Sequence, residues 1–185
     1  ELANYLWATI FTEIPENNPF LKIIRETAWK VNDVMLWTHN QNYFLATDVA
    51  EITKAFIQAK NMPIVFDFAL TQPFIFADMQ LSWNALQAFN HMYALQFHSL
   101  PKPDIVIEVG ADNETIMKRL QARGKHIDEF VQKMVEKLNT YYASGIVEEN
   151  YSGDDTKVIY FDNGVQFQDP NQIKQKVIQT LGQLI

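Results

Sequence analysis

Two of the three arginines in this chain, Arg119 and Arg123, stand four residues apart, with Gly124, Lys125 and His126 behind them. Positions four apart share one face of a helix. Guanidinium forks match phosphate oxygens, so the pair with Lys125 can clamp an anion. The same spacing also suits a solvated basic face, and spacing alone leaves both readings open. Two carboxylates stand near strand ends: Glu13 closes the β-rich run 8–14, and Asp67 interrupts the apolar run 62–70. A carboxylate held near a hydroxyl can take its proton. Glu13 is equally readable as a strand-end residue in a solvated loop.

A strand, a turn and a helix must position the basic group. Residues 104–109 (DIVIEV) are apolar and β-branched over strand length. Gly110 ends the run, Asp112 sits at an N-cap position and Glu114 complements the helix dipole. Residues 115–121 have helical spacing, and Gly124 can end that helix.

The remaining chain supplies the frame. Residues 1–7 read as the tail of a helix and 8–14 as a strand, with turn-rich EIPENNP at 13–19. Residues 20–60 predict two helices anchored by Trp29, Met35, Trp37, Phe44, Leu45 and Phe56, and 62–70 predict a second strand. The glycine-free stretch 74–97 predicts one long helix, ended by Pro101 and Pro103, with a length that suits a dimer face. A helix over 127–142, a polar loop over 144–155, a strand over 157–161, turns over 162–170 and an amphipathic helix over 171–185 complete the chain. Strands alternating with helices predict one α/β domain over 1–185, a parallel sheet flanked by helices. Ligands of such sheets bind at the carboxyl ends of strands, near Glu13, Asp67 and the basic segment.

Composition narrows the function classes. The chain has 185 residues, enough for a sizeable core, with 48% hydrophobic and 20% charged residues. A net charge of −7 argues against a nucleic-acid polymer as partner, though not against a small anion in a local basic pocket. No apolar run reaches membrane-spanning length, and cysteine is absent, which fits a cytoplasmic setting. His39, His91, His98 and His126 lack metal-ligand spacing, and no metal ligands are expected from them. Phe74 and Phe76 fall on the apolar face of a helix, and core packing is their plainer role.

Four stretches together resemble the deoxynucleoside kinase family, P-loop kinases that move the γ-phosphate of ATP to the 5′-hydroxyl of a deoxyribonucleoside. EIPENNPFL at 13–21 resembles the family's EPVxxNPxL, and QNYFL at 41–45 its LQxYFL helix. Residues 65–70, with Asp67, fall where the family carries DRS or ERS. Residues 103–128 resemble its strand PDLLIxLDV, the following helix and the lid RIxxRGR. The resemblance implies a three-layer P-loop kinase fold, with ATP and Mg²⁺ as cofactors and a homodimer or paired heterodimer as the assembly. It implies Glu13 as general base and Gln41 as the amide that reads the nucleobase. Asp67 and Asp128 would serve the substrate, Asp128 at the sugar 3′-hydroxyl and one carbon shorter than the usual Glu. Arg119, Arg123 and Lys125 would form a lid over the ATP phosphates, about 119–128.

Two departures stand out. The family's phosphate loop, GxxxxGK followed by Ser or Thr, is absent, and no glycine precedes Gly110. Because residues 1–7 resemble the back half of the helix that such a loop starts, the loop and the central first strand are expected upstream of Glu1. Phe68 replaces the arginine of DRS or ERS. These departures keep a non-catalytic or regulatory nucleotide-binding relative as the alternative. Another P-loop nucleoside or nucleotide kinase is a third reading. Scarcity of arginine favours a neutral nucleoside acceptor over a phosphorylated one.

Overall fold

The structure, a computed structural model, describes residues 8–12, 15–27, 34–59, 62–151 and 155–162, with positions 175, 178, 179 and 182. The helix expected over 1–7, Glu13, and most of the segment 163–185 lie outside the described residues. The chain divides into two compact units, Ala3–Lys102 and Pro103–Ile185 with Glu1–Leu2.

In the first unit, β1 (Thr9–Phe11) pairs in parallel with β2 (Ile64–Phe66), Thr9 facing Ile64 and Phe11 facing Phe66. Parallel neighbours require a crossover, and helices α1 (Pro19–Glu26) and α2 (Val34–Ala59) lie along it. Both strands are shorter than the runs 8–14 and 62–70 suggest. Asp67 and Phe68 follow β2 in a bend, and Asp67 is exposed, as suits a residue poor at strand formation.

Asn18 starts α1 by accepting hydrogen bonds from the backbone of Phe20 at 2.9 Å and Leu21 at 3.2 Å. Pro19 takes the first helical position, where its missing N–H costs nothing. Leu21 and Ile24 turn inward. In α2, Trp37, Leu45, Ile52, Ala55 and Ala59 form the buried stripe, together with the polar Asn40, Gln41 and Asp48. Thr38, Thr47 and Thr53 satisfy their hydroxyls on carbonyls one turn earlier, at 2.6, 2.8 and 2.8 Å.

The single helix expected over 74–97 is two helices, α3 (Thr71–Gln80) and α4 (Trp83–Ser99). The backbone is extended at Leu81 (φ −90°, ψ 147°) and Ser82 (φ −69°, ψ 160°). Serine favours the position before a helix, and its carbonyl accepts from the Leu86 amide at 2.8 Å. Apolar residues keep helical intervals across this break, so the pattern does not register it. Phe89, Tyr93 and Phe97 stack along one face of α4, with ring centroids 6.3 and 5.5 Å apart. Phe74 of α3 meets Tyr93 at 5.3 Å, which is packing.

In the second unit, β3 (Ile105–Gly110) pairs in parallel with β4 (Lys157–Asp162) over six residues, from Ile105 opposite Lys157 to Gly110 opposite Asp162. Helices α5 (Asn113–Ala122), α6 (Glu129–Ala143) and α7 (Ile146–Asn150) lie between these strands in sequence. The polar loop expected over 144–155 therefore contains a helix. Gly145, at φ 78°, turns the chain after α6, and the buried Val147 anchors α7 against the core. Val106, Val135, Val147, Tyr151 and Phe161 form that core. Among the described residues, no helix is long and apolar enough to cross a membrane.

Candidate functional site

The basic cluster of the second unit begins at a fixed turn. Asp112 caps α5, accepting from the Thr115 amide at 2.8 Å and the Thr115 hydroxyl at 2.7 Å. Those bonds, the backbone one first, hold its carboxyl below the usual range. Asn139 of α6 donates to the Ala111 carbonyl at 3.0 Å and to Asn113 Oδ1 at 2.6 Å, tying α6 to the β3–α5 turn. A Cβ on Gly110 would come within 2.9 Å of the Tyr160 ring, so glycine leaves room for that ring.

Arg119 and Arg123 line one cleft of about 310 Å³, together with Gly110, Ala111, Asn139 and Tyr142. Arg119 is half-buried and Arg123 exposed at the end of α5. Gly124 follows at φ 71°, and its amide donates to the Gln121 carbonyl at 2.8 Å. Lys125 is exposed and is not part of the cleft lining. Asp128 is the N-cap of α6, its Oδ1 accepting from the Val131 amide at 3.0 Å. Among the described residues Arg123 and Lys125 form no ion pair, whereas Lys118 and Lys133 each meet a glutamate one turn away, at 2.5 and 2.6 Å. These paired lysines belong to exposed helix faces, where such pairs contribute little.

One titratable group beside this cluster escaped the sequence reasoning. Glu108 lies in the apolar run of β3 and is 8% exposed. Burial raises its pKa, and the nearby Glu148 raises it further. Burial also raises the Tyr142 hydroxyl, with Glu108 adding to the effect.

In the first unit, Gln41 is 2% exposed, and its Nε2 donates to Gln80 Oε1 at 2.6 Å. Its neighbour Asn40 accepts from Asn18 at 3.1 Å, and the Tyr43 hydroxyl donates to the Asn17 carbonyl at 3.0 Å. One stretch of α2 is thus tied to the start of α1 and to the end of α3. Phe68 is half-buried against Phe66, ring centroids 5.3 Å apart. Among the described residues, no group of three His, Asp or Glu side chains could hold a metal.

No family model matches the chain. Over 143 residues it is 24% identical to deoxyguanosine kinase of Bacillus subtilis (strain 168), an alignment covering 76% of this chain and 63% of that protein. The chain thus spans less than two thirds of that relative's length. Its fold matches the structure of deoxyadenosine kinase from M. mycoides with products dCMP and a flexible dCDP bound, at a TM-score of 0.71 and 21% identity, covering 98% of this chain and 90% of the other. The same kinase with bound dCTP matches at a TM-score of 0.72 and 18% identity, covering 98% and 89%. The chain is thus similar in sequence and in fold to deoxynucleoside kinases.

The α/β architecture with parallel strands is accordingly that of the P-loop kinase fold of deoxyadenosine kinase. Within this deoxynucleoside kinase fold, Arg119 and Arg123 are brought to one cleft, while Gln41 stands in the first unit with Gln80. Sequence reasoning does not single out Gln80, because helical spacing runs unbroken past it. Ser82, a residue suited to start a helix, was the available signal.

Proposed function

We propose that the full-length protein is a deoxynucleoside kinase that transfers the γ-phosphate of ATP to the 5′-hydroxyl of a deoxyribonucleoside. The observation that carries this reading is the buried amide of Gln41 on the long helix α2, in a chain similar in sequence and fold to deoxynucleoside kinases. A buried side-chain amide keeps donor and acceptor capacity that a base edge can use.

Glu13 accepts the proton of the 5′-hydroxyl as its oxygen bonds to the γ-phosphorus and the bond from that phosphorus to the ADP oxygen breaks. Positioning and charge neutralisation do most of the work in such transfers. Arg119 and Arg123, which share a cleft, face the phosphates and offset their charge, with Lys125 on the same lid. Asp128 serves the sugar 3′-hydroxyl, and Asp67 serves the substrate. Proteins commonly hold Mg²⁺ through one or two carboxylates plus substrate phosphates. Among the described residues, no group of three or more His, Asp or Glu side chains could hold the ion without those phosphates. The assembly is a homodimer or paired heterodimer in the cytoplasm. Leu95 of α4, 63% exposed, and Trp83, 73% exposed, suit that partner face.

Glu13→Gln in the full-length protein tests the chemistry. Turnover falls by roughly 10²–10⁴-fold with little change in substrate KM. Undiminished turnover removes Glu13 as the base. Phe68 favours a second reading, a non-catalytic nucleotide-binding relative, because an aromatic packed on Phe66 stands where the family carries arginine. Full-length protein that transfers phosphate to none of the four deoxynucleosides decides for that reading.

A further inference from the structure

We propose that Gln80 is a positioning residue for Gln41, and that the two amides together let one site accept both classes of nucleobase edge. This inference rests on Gln41 as the base contact. Adenine and cytosine present a ring-nitrogen acceptor beside an amino donor. Guanine and thymine present a ring N–H donor beside a keto acceptor. A single amide reads either class, but only by turning over, since its donor and acceptor must exchange places.

The surroundings decide whether it can turn. Gln41 is 2% exposed, and one of its N–H groups is bonded to Gln80 Oε1 at 2.6 Å. Among the described residues its side chain has no other hydrogen-bond partner. Rotating Gln41 alone would set two carbonyl oxygens against each other in a buried place, and an unmade buried bond is costly. Gln80 removes that obstacle because it too is an amide. When both turn together, Gln80 donates and Gln41 accepts, and the hydrogen-bond count is unchanged. A residue that only accepts, or only donates, would lock Gln41 in one orientation. Position 80 owes its place to the break after α3: it is the last residue of that helix, just before the extended Leu81.

The test is equilibrium binding of deoxyadenosine, deoxycytidine, deoxyguanosine and thymidine to full-length protein by calorimetry, with thermal melting to verify folding. The wild-type protein should bind members of both classes within about tenfold of one another. Gln80→Glu keeps an acceptor and loses the donor, so the two classes should part by about tenfold or more. Gln80→Met, which has neither, should weaken both classes alike, and it serves if the glutamate variant does not fold. An unchanged class ratio in Gln80→Glu overturns the inference, as does a wild-type ratio above a hundredfold or an unaltered affinity in Gln80→Met. Combining Gln80→Glu with Gln41→Ala should abolish the split. A split that survives means that residue 80 meets the base itself, which also overturns the positioning role. Gln41→Ala alone that leaves every affinity unaltered defeats instead the underlying reading of Gln41.

Discussion

Asn18 donates its Nδ2 to Asn40 Oδ1 at 3.1 Å, joining the cap of α1 to the buried stripe of α2. The same Asn18 side chain accepts from two backbone amides of α1. Asn18→Ala removes all three bonds and leaves the Asn40 oxygen without its donor in a buried place. The loss should be about 2–4 kcal/mol, the sum of a cap and an orphaned buried polar group. Asn18→Asp keeps the cap acceptor and loses only the donor, so its cost should be smaller. Urea unfolding of the two variants checks the order; an alanine variant as stable as wild type would refute it.

Glu108 gives a pH prediction with a definite sign. Burial, and then Glu148, raise its carboxyl pKa in the folded protein. The folded state therefore holds that proton more tightly than the unfolded chain does. The stabilisation is complete below the ordinary glutamate range and is lost as pH rises through the raised value. Glu108→Gln keeps the shape and never ionises. It should be more stable than wild type near neutral pH, with the difference shrinking toward about pH 4. Chemical denaturation at both pH values measures this, and a variant less stable at neutral pH contradicts it.

Gly124 isolates backbone strain from crowding. Its φ is 71°, and an added Cβ would meet nothing within 4 Å. Gly124→Ala should cost about 1 kcal/mol through conformation alone. Gly124→Asn should cost less, since asparagine tolerates this region better than most residues. Equal melting temperatures for glycine, alanine and asparagine forms would show that the turn relaxes without penalty.

Much of the second unit was legible in the sequence because its signals are local. Asp112 announced the start of α5, Gly124 its end, and the β-branched run before Gly110 announced β3. The break between α3 and α4 was not legible, because Phe76, Met79, Trp83 and Leu86 keep helical intervals through it. Helix α7 hides in a polar stretch for the converse reason: it is five residues long and relies on the burial of Val147. At the candidate site, types and spacing nominated Arg119 and Arg123, and the family resemblance nominated Gln41. The bond from Gln41 to Gln80 spans 39 positions and belongs to tertiary packing, which no local pattern encodes. Glu108 was hidden because one carboxylate in an apolar strand does not reveal whether it faces water.

Each parallel ladder joins residues roughly fifty positions apart, Thr9 to Ile64 in one unit and Ile105 to Lys157 in the other. Closing a loop of that size is entropically expensive before any strand contact compensates it. The intervening helices shorten the effective loop when they form, as α5 and α6 do between β3 and β4. The order of events during folding is thereby constrained: helices come early, and each pair of strands zips late, as a non-local step that slows the chain.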